Sequence, residues 1–236
     1  MLTEENFIDF KCPHCGDPIS FPQDFTGQAQ ACPICDQDVI VIKDAEGKGV
    51  KLPFPMEMST IILRRFATDD WKDVMEIIGE EEFYSISGGH PLGEEEMIRW
   101  LESERCVRLM TPGQLFYLGI HSIEHNKLVG IMTMGFIDDR RLQANLTVKI
   151  TPTFQRQGFA TEALSALLHF CFDKIRLHRV TAFCDSESIA SWRLLDTVGM
   201  RREGELQKDR FENGKWGNTL LYALLQEEYE AGEKAE

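Results

Sequence analysis

Hydrophobic and polar positions follow two different periods along this chain, and from Ser59 onward they predict alternating strands and helices. Residues 143–150 alternate strictly, with the even-numbered residues apolar, which predicts a strand with one face buried. The strongest helix pattern follows directly after this strand. Its apolar residues recur at three- and four-residue steps and form one continuous stripe: Ala160, Ala163, Leu164, Leu167, Leu168, Cys171, Phe172 and Ile175.

The other elements are predicted from short apolar runs and from the residues that begin and end helices. Strands are predicted at residues 61–63, 115–121, 128–134, 180–184, 200–204 and 219–224. Helices are predicted at residues 68–78, 94–104 and 188–198. Thr68 and Asp69 provide an N-cap and an early acid for the first of these helices, and Gly199 suits the C′ position of the last.

The first 45 residues form a different kind of segment, with short β-like runs and no helical period. Glycine, charge and proline then combine over residues 46–58, which is typical of a linker. We therefore predict a small domain at residues 1–45, a linker at 46–58, a larger domain at 59–230 and a flexible tail at 231–236. No apolar run approaches the ~18 residues that a membrane helix needs.

Four of the seven cysteines form two Cys-x-x-Cys pairs in the N-terminal segment. Sixteen residues separate the pairs, and four thiolates arranged in this way can close tetrahedrally on one zinc ion. The alternative, a redox dithiol, is disfavoured because one redox pair needs no matching second pair. The sequence therefore predicts a structural Zn²⁺ site in a zinc ribbon, with the ligands Cys12, Cys15, Cys32 and Cys35.

The formal net charge of −14 favours cationic ligands over nucleic acids and anionic membranes. Residues 1–58 hold ten Asp and Glu against four Lys, a net charge of −6, so the ribbon lacks the cations that phosphate contacts require. Docking of a protein partner is therefore favoured over nucleic-acid binding by the ribbon. The acidic N-terminus is unlike a targeting segment, and the expected location is cytoplasmic.

The segment from Gln155 to Thr161 joins the alternating strand to the strongest helix and has the features of a phosphate-binding turn. A helix N-terminus offers unpaired N–H groups and a partial positive charge, which suit a pyrophosphate. Gly158 allows close approach of the backbone, Arg156 adds a cation, and Thr161 adds a hydroxyl. Taken alone, these residues also fit an ordinary tight turn, because many α/β folds contain a strand–Gly–helix junction.

The order Gln-x-x-Gly-x-Ala, after a strand and a proline-containing turn, resembles the motif of the GNAT superfamily of acetyl-CoA-dependent N-acetyltransferases. The resemblance spans about residues 59–225 and includes the opening strand at 61–66 and the turn at Gly199-Met200. It implies an α+β fold with a mixed, mostly antiparallel sheet flanked by helices, here preceded by the small zinc-ribbon domain. Within the superfamily, the chain is most similar to the branch that acetylates ribosomal-protein N-termini.

Carried over position by position, the resemblance implies how acetyl-CoA would be held. Backbone groups of Val148 and Ile150 would pair with the pantetheine arm like an added strand. The strand that carries Lys149 would separate from the strand at 180–184, leaving room for the thioester, and a backbone N–H near residues 148–150 would serve the oxyanion. The pyrophosphate would be held by the backbone N–H groups of Arg156, Gln157, Gly158, Phe159, Ala160 and Thr161.

Three positions depart from the pattern of some relatives, which use a Glu base, a coenzyme-binding Asn and a Tyr acid. This chain has Phe183, Ser188 and Leu195 there, so that acid–base pair cannot be transferred. The resemblance places Ser188 against coenzyme A, and it places Ser188 and Ser191 near the sulfur, where they are our candidates for catalysis. A serine at a helix start also serves as a cap. Without a dedicated acid or base, activity would rest on positioning the two reactants, with water relaying protons.

The sequence therefore predicts an N-acetyltransferase that moves the acetyl group of acetyl-CoA to a primary amine by direct attack. The amine is a protein N-terminus or a small molecule, because many small-amine acetyltransferases share the pattern of the ribosomal branch. Specificity is expected from two variable segments at 83–93 and 205–217. The alternative is a catalytically silent acyl-CoA-binding module with a docking ribbon; a zinc-dependent nucleic-acid adaptor is disfavoured by the acidity.

Overall fold

The structure is a computed structural model that describes residues 7–22, 29–43, 49–51, 54–79, 93–106, 115–137, 143–212 and 214–233. At the N-terminal end of the chain, five short strands form two small sheets. The strands are β1 (Phe7–Lys11), β2 (Pro18–Pro22), β3 (Ala29–Ala31), β4 (Asp38–Lys43) and β5 (Gly49–Lys51). β1 and β2 form an antiparallel hairpin, and β3, β4 and β5 form a separate antiparallel sheet. Each Cys-x-x-Cys pair lies in the tight turn that joins two of these strands.

The remaining strands form one large sheet. They are β6 (Met56–Glu57), β7 (Ile61–Arg64), β8 (Leu115–Ser122), β9 (Lys127–Phe136), β10 (Gln143–Ile150), β11 (Arg179–Asp185), β12 (Arg201–Glu212) and β13 (Lys215–Leu225). Their order in the sheet is β6-β7-β8-β9-β10-β11-β13-β12. Neighbouring strands are antiparallel except for β10 and β11, which are parallel. The predicted mixed, mostly antiparallel sheet is confirmed.

Helices cover both faces of this sheet. They are α1 (Trp71–Ile78), α2 (Glu94–Cys106), α3 (Phe159–His169), α4 (Ile189–Thr197) and α5 (Gln226–Glu233). α1 and α2 share one core layer with Leu128 and Ile131 of β9. α3 and α4 belong to the opposite layer, which takes alternate strand residues such as Leu118 and Val180. None of these described helices is long and apolar enough to span a membrane.

The apolar stripe that predicts the strongest helix is confirmed as the buried face of α3, where Ala163, Leu164 and Leu167 are almost fully buried. After His169 the helix widens into a π-helical turn over residues 170–174. In this turn the N–H of Ile175 donates to the carbonyl of Phe170 at 3.2 Å, five residues back. The wider turn belongs to the same buried layer and leads the chain into β11.

The segment predicted as a variable loop at 205–217 is largely a β-hairpin, so that prediction is wrong. The strand predicted at 200–204 continues to Glu212 and pairs with β13. The hydrophobic period misses this extension because the hairpin lies at the sheet edge with few buried residues. A shift of pairing between Leu206 and Arg210 also interrupts the alternation. Most of the other predicted loop, residues 83–92, lies outside the described residues.

The C-terminal helix α5 was not predicted, and it extends to Glu233, three residues into the segment expected to be a flexible tail. Its first turn is held by Glu228, whose carboxylate accepts the N–H of Leu225 at 2.9 Å and pairs with Arg201 at 2.9 Å. Tyr229 stacks on Phe172 with ring centroids 5.0 Å apart. These tertiary contacts stabilise a helix whose own sequence is short and mostly polar.

Candidate active site

The parallel strands β10 and β11 separate part-way along their length. They pair only at their beginnings, at Gln143–Arg179, Ala144–Val180 and Asn145–Thr181. Beyond Asn145, β10 continues with β9 alone and β11 continues with β13 alone. The Asn145 amide marks the last link, because it donates to the carbonyl of Thr181 at 3.3 Å. The separation predicted for these two strands is confirmed.

Backbone polar groups of β10 point into this opening. The N–H of Thr151 donates to the carbonyl of Val129 on β9 at 2.9 Å. Because successive residues of a strand direct their backbone groups to opposite neighbours, Val148 and Ile150 direct theirs away from β9. Both side chains pack against the α3–α4 layer, as the alternation of this strand predicts. The opening therefore presents a strand edge to an extended ligand.

A left-handed turn leads from β10 to α3 at the wide end of the opening. The side chains of Gln155 and Gln157 brace it by donating to backbone carbonyls of Ile150 at 3.0 Å and Thr153 at 3.3 Å. Arg156 and Gly158 have φ angles of 63° and 88°, in the left-handed region. Apart from the adjoining residues of the chain, no heavy atom lies within 4 Å of the position that a Cβ on Gly158 would take. The backbone at Gly158 therefore faces open space.

The first N–H groups of α3 are exposed by this turn. Glu162 is the first residue to bond backward, and its N–H donates to the carbonyl of Gly158 at 3.0 Å. Within the described residues, the N–H groups of 156–161 have no backbone acceptor. They lie at the positive end of the α3 dipole. The residues predicted to hold a pyrophosphate thus form a set of unpaired donors next to the opening.

Glu162 is an acid in the first turn of α3, where its charge would oppose a bound phosphate. Its carboxylate accepts hydrogen bonds from the backbone N–H and the hydroxyl of Thr60, in the turn before β7. Burial acts to raise the pKa of Glu162, but the hydrogen bonds from Thr60 outweigh it and hold this pKa below its usual value. The same contacts fix the start of α3 to the first strands of the large sheet.

Ser188 and Ser191 lie at the start of α4, on the same layer as α3. Their hydroxyl oxygens are 2.8 Å apart and share a hydrogen bond. Ser188 is the N-cap residue of α4, yet its side chain makes no capping bond to the helix. Both side chains are half-buried. The alternative that Ser188 is only a cap therefore has no support in this geometry, and the pair forms a small hydroxyl cluster near the end of β11.

On the opposite face, four side chains line the open end of the separated strands: Thr147 and Lys149 from β10, and Phe183 and Asp185 from β11. We call these four residues the mouth. They share this face because they follow the last pair, Asn145–Thr181, at two-residue steps. Lys149 donates from Nζ to the carbonyl of Ile78, the last residue of α1, at 3.1 Å. Phe183 is 46% exposed.

The carboxylate of Asp185 is the acidic group of the mouth. One oxygen accepts the N–H of Glu187 at 2.9 Å, and the other pairs with Arg210 of the hairpin at 2.5 Å. The hydrogen bond from Glu187, with Arg210 in support, holds the pKa of Asp185 below its ordinary value. Asp185 therefore stays ionised and is a weak base. Asp185 is not among the residues predicted from the sequence, although its position two residues after Phe183 on the same strand face was available as a signal.

A protein-family model described as an acetyltransferase (GNAT) domain matches residues 60–201. The chain belongs to the GNAT acetyltransferase family. The match contains the separated strands, the left-handed turn, and the serine pair. It begins after the cysteine-rich segment, which lies outside the GNAT domain.

Known GNAT relatives share long stretches with this chain. It is 24% identical over 176 residues to the uncharacterized N-acetyltransferase YoaA of Bacillus subtilis, covering 73% of this chain and 97% of that protein. It is 40% identical over 78 residues to the uncharacterized N-acetyltransferase YnaD of the same species, covering 33% of this chain and 46% of that protein. A solved GNAT acetyltransferase from Bacillus anthracis superposes with a TM-score of 0.58 at 25% identity, over 73% of this chain and 98% of that one.

The thiols of Cys171 and Cys184 in the GNAT domain are not activated nucleophiles. Burial raises the pKa of Cys171, which lies in the π-helical turn. Burial also raises the pKa of Cys184 at the end of β11. A thiol with a raised pKa carries little thiolate at neutral pH. Among the described cysteines of this domain, neither supports a covalent acetyl-enzyme intermediate.

The four N-terminal cysteines converge as the sequence analysis expected. Their sulfur atoms all lie within 4.8 Å of one another. Sγ–Sγ distances are 3.8 Å for Cys12–Cys35 and 3.9 Å for Cys15–Cys32. A tetrahedron with Zn–S bonds of ~2.3 Å has edges of about 3.8 Å, so the donor set fits this ion.

The two cysteine turns repeat the same hydrogen bonds. The N–H groups of His14 and Ile34 each lie 3.4 Å from the sulfur of the first cysteine in their pair. Gly16 and Asp36 have φ angles in the left-handed region. Each closes its turn by donating its N–H to the carbonyl of the first cysteine of the pair at 2.9 Å. N–H···S bonds stabilise a thiolate, as a metal ligand requires. The His14 ring instead donates to the carbonyl of Asp38 at 3.1 Å, away from the ligand set.

Proposed function

We propose that this GNAT domain transfers the acetyl group of acetyl-CoA to a primary amine, either a protein N-terminus or a small molecule. One observation carries the proposal: the separated strands β10 and β11 open beside the unpaired N–H groups of α3. A pyrophosphate held by residues 156–161 would direct the pantetheine arm into the opening. The arm would pair with the backbone of Val148 and Ile150, and Ser188 would contact it from α4.

The reaction then needs two groups from the chain, a donor to the oxyanion and a proton source for the thiolate. The neutral amine nitrogen attacks the thioester carbonyl carbon, a C–N bond forms, and the C–S bond breaks. A backbone N–H near residues 148–150 stabilises the oxyanion. The hydroxyl pair of Ser188 and Ser191 gives a proton to the departing thiolate and recovers it from water, while the amine gives its proton to water. The products are one amide and coenzyme A.

The finer family assignment is also a proposal. We place the domain near the branch that acetylates ribosomal-protein N-termini, supported by 26% identity over 107 residues to the putative ribosomal N-acetyltransferase YdaF of Bacillus subtilis. The match covers 45% of this chain and 58% of that protein. A spermidine N(1)-acetyltransferase of Escherichia coli is equally similar, at 26% identity over 105 residues. Identifying the acceptor of this chain would distinguish a ribosomal-type from a spermidine-type acetyltransferase.

For the N-terminal domain, residues 1–45, we propose one structural Zn²⁺ bound by Cys12, Cys15, Cys32 and Cys35, and a role in docking a protein partner. The spacing of the sulfur atoms and the paired N–H···S bonds support the metal site. When bound, the ion would supply folding free energy that so small a core cannot provide. The acidity of residues 1–58 supports a protein partner over a nucleic acid.

Thermal melts and thiol release test the catalytic proposal on the full chain. Acetyl-CoA is expected to raise the melting temperature of the GNAT domain, and coenzyme A is expected to be released when a suitable amine is added. Absence of any thermal shift with acetyl-CoA would overturn both the enzyme and the silent-binder readings. A thermal shift without turnover on any amine or peptide would favour the silent acyl-CoA-binding module.

A further inference from the structure

An exposed apolar strip begins at the mouth and crosses three strands. Phe183 of β11 lies directly opposite Leu221 of β13, and Leu206 of β12 lies diagonally beyond it. Phe183 and Leu206 are 46% and 45% exposed. On this face, the described helices α1 and α2 pack over β8 and β9 and leave β11, β13 and β12 uncovered. We call these three residues the apolar strip.

The strip lies where an acceptor must approach, if acetyl-CoA binds as proposed above. α3 and α4 occupy the other face of the opening, and the phosphate-binding turn lies at the start of α3. An arm that enters from that side presents its thioester between the strands, so the amine must come from the face of the mouth. Phe183 stands two residues, or ~6.6 Å, past the last paired residue, Thr181. Its ring is therefore beside the incoming amine.

The charges at the mouth disfavour an acceptor with a second cationic group. Lys149 contributes an ammonium on one side and Arg210 a guanidinium on the other. The carboxylate between them, Asp185, already accepts two hydrogen bonds. A polyamine needs carboxylates along its length to compensate for its lost hydration. The apolar strip offers no carboxylate. An apolar group next to the reacting amine would cover the strip, and the burial of apolar surface would stabilise the bound acceptor.

The mouth also lacks an efficient base. Some relatives carry a Glu where this chain has Phe183, and Asp185 is held ionised by its own partners. The described residues of the mouth therefore leave the acceptor to supply its own neutral amine. An α-amino group, with a pKa of about 7.7–8.0, is neutral to roughly a tenth or more at pH 7, whereas an alkylamine near 10.4 is almost entirely charged. Attack without a base thus selects an α-amine.

We propose that the acceptor is the α-amino group of a peptide chain that begins with a large apolar residue, and that Phe183 is a specificity-determining residue that packs against this first side chain. The proposal rests on the catalytic function proposed above and names its substrate class. It differs from the polyamine substrate that the name of the spermidine acetyltransferase relatives states for those proteins.

The test is an acceptor panel with thiol release as the readout. Matched peptides begin with Phe, Leu, Ser or Glu, and they are compared with spermidine and with 2-phenylethylamine, which keeps the ring but has a basic alkylamine. We expect kcat/KM for the Phe and Leu peptides to exceed that for the Ser peptide about tenfold or more. The Phe peptide should also exceed 2-phenylethylamine. A preference for spermidine or for the Ser peptide would overturn the proposal while leaving the acetyltransferase function intact.

Variants of Phe183 separate specificity from folding. Phe183→Ala should lower kcat/KM for the Phe peptide about tenfold, mainly through KM, and Phe183→Leu should restore most of it. Phe211→Ala is the matched control, because Phe211 is a 59% exposed Phe on β12 of the same sheet but directed to the other face. Equal loss in both alanine variants, or an unchanged Phe-to-Ser ratio in Phe183→Ala, would refute a role for Phe183. No turnover on any acceptor would refute the catalytic proposal and this one with it.

Discussion

At the scale of single residues, the site depends on a backbone conformation that most side chains avoid. The first N–H groups of α3 have no intrahelical acceptor, as at any helix start, and the left-handed turn at Arg156 and Gly158 leads the chain into the helix without covering them. Arg156 adopts this conformation at an energetic cost, and the glycine adopts it at little cost. The space where a Gly158 side chain would project is empty of protein atoms. It is the space that the proposed pyrophosphate would use.

Gly158→Ala is therefore expected to weaken acetyl-CoA binding at least tenfold, because the new methyl group projects into the phosphate space and strains the turn. Gly199→Ala is the matched control: Gly199 also has a left-handed φ, 83°, with no heavy atom within 4 Å of its would-be Cβ, but it closes α4 at the far end. Both changes should destabilise the fold by a similar amount, ~1 kcal/mol. Calorimetric titration measures the acetyl-CoA affinity of each variant. Equal affinities in the two variants would contradict pyrophosphate binding at residues 156–161.

The serine pair makes a second residue-level prediction. Ser191→Ala should lower kcat by about 10²-fold or more, the range for loss of a general acid, with little change in acetyl-CoA affinity. Ser188→Ala should affect both quantities, because Ser188 is also proposed to contact the coenzyme. Ser165→Ala, at an exposed position on α3, serves as the control. Unchanged kcat in both active-site variants would leave water as the proton donor and make the pair a local hydrogen bond.

At the scale of elements, the sequence predicts the parts of the site that are formed by neighbouring residues, and it does not predict the parts that depend on how distant elements pack. The turn at 155–161 and each Cys-x-x-Cys pair are local motifs, so the metal ligands could be predicted from spacing, and the phosphate-binding turn could be predicted from its residues together with the resemblance to the GNAT motif. Lys149 and Ile78 are far apart in sequence, and their bond forms because α1 packs on β9 and ends close to the Lys149 side chain of the neighbouring strand β10. The exposure of Phe183 likewise depends on which helices cover which strands. These parts of the mouth follow from packing, which a hydrophobic period does not encode.

The edge hairpin and α5 are joined to the sheet by an ion-pair network that predicts a pH dependence. Arg179 pairs with Glu203, Arg201 pairs with Glu203 at 3.0 Å, and Arg201 pairs with Glu228 at 2.9 Å. The hydrogen bond from Arg179 is the main cause that lowers the pKa of Glu203. A carboxyl with a lowered folded-state pKa stabilises the fold above its unfolded value, about 4.3, and loses this contribution as pH falls through the folded value.

Glu203→Gln should therefore lower the free energy of unfolding at pH 7, and this deficit should be smaller at pH 3, because the wild-type carboxyl loses its stabilising charge as pH falls below about 4.3 and through its lowered folded-state pKa. The loss should stay below about 1 kcal/mol, because the pair is partly exposed and screened. Urea unfolding at the two pH values measures it, with Glu124→Gln in an exposed turn as the control. A deficit that persists unchanged at pH 3 would show that packing, and not charge, causes it.

At the scale of the whole molecule, the chain combines two parts that are stabilised in different ways. The GNAT domain has two extensive apolar layers on either side of its sheet. The ribbon has a much smaller core, in which two of the buried residues are the cysteines Cys12 and Cys32 themselves. A core this small does not offset the conformational entropy of its strands, so the proposed ribbon would need the proposed metal to fold, whereas the GNAT domain has its own large core.

Metal and acetyl-CoA should therefore act on separate thermal transitions of the full chain. Zinc content is expected to be close to one per chain and to fall to zero in the double variant Cys12→Ser/Cys32→Ser. A chelator or this variant should remove only the ribbon transition, whereas acetyl-CoA at 100 times its dissociation constant should stabilise only the GNAT transition, by about 2.7 kcal/mol. Scanning calorimetry with each ligand alone and together distinguishes the outcomes. If metal loss also abolished acetyl-CoA binding, the ribbon would be a structural part of the acetyltransferase site, and the proposed division of the chain into independent domains would be wrong.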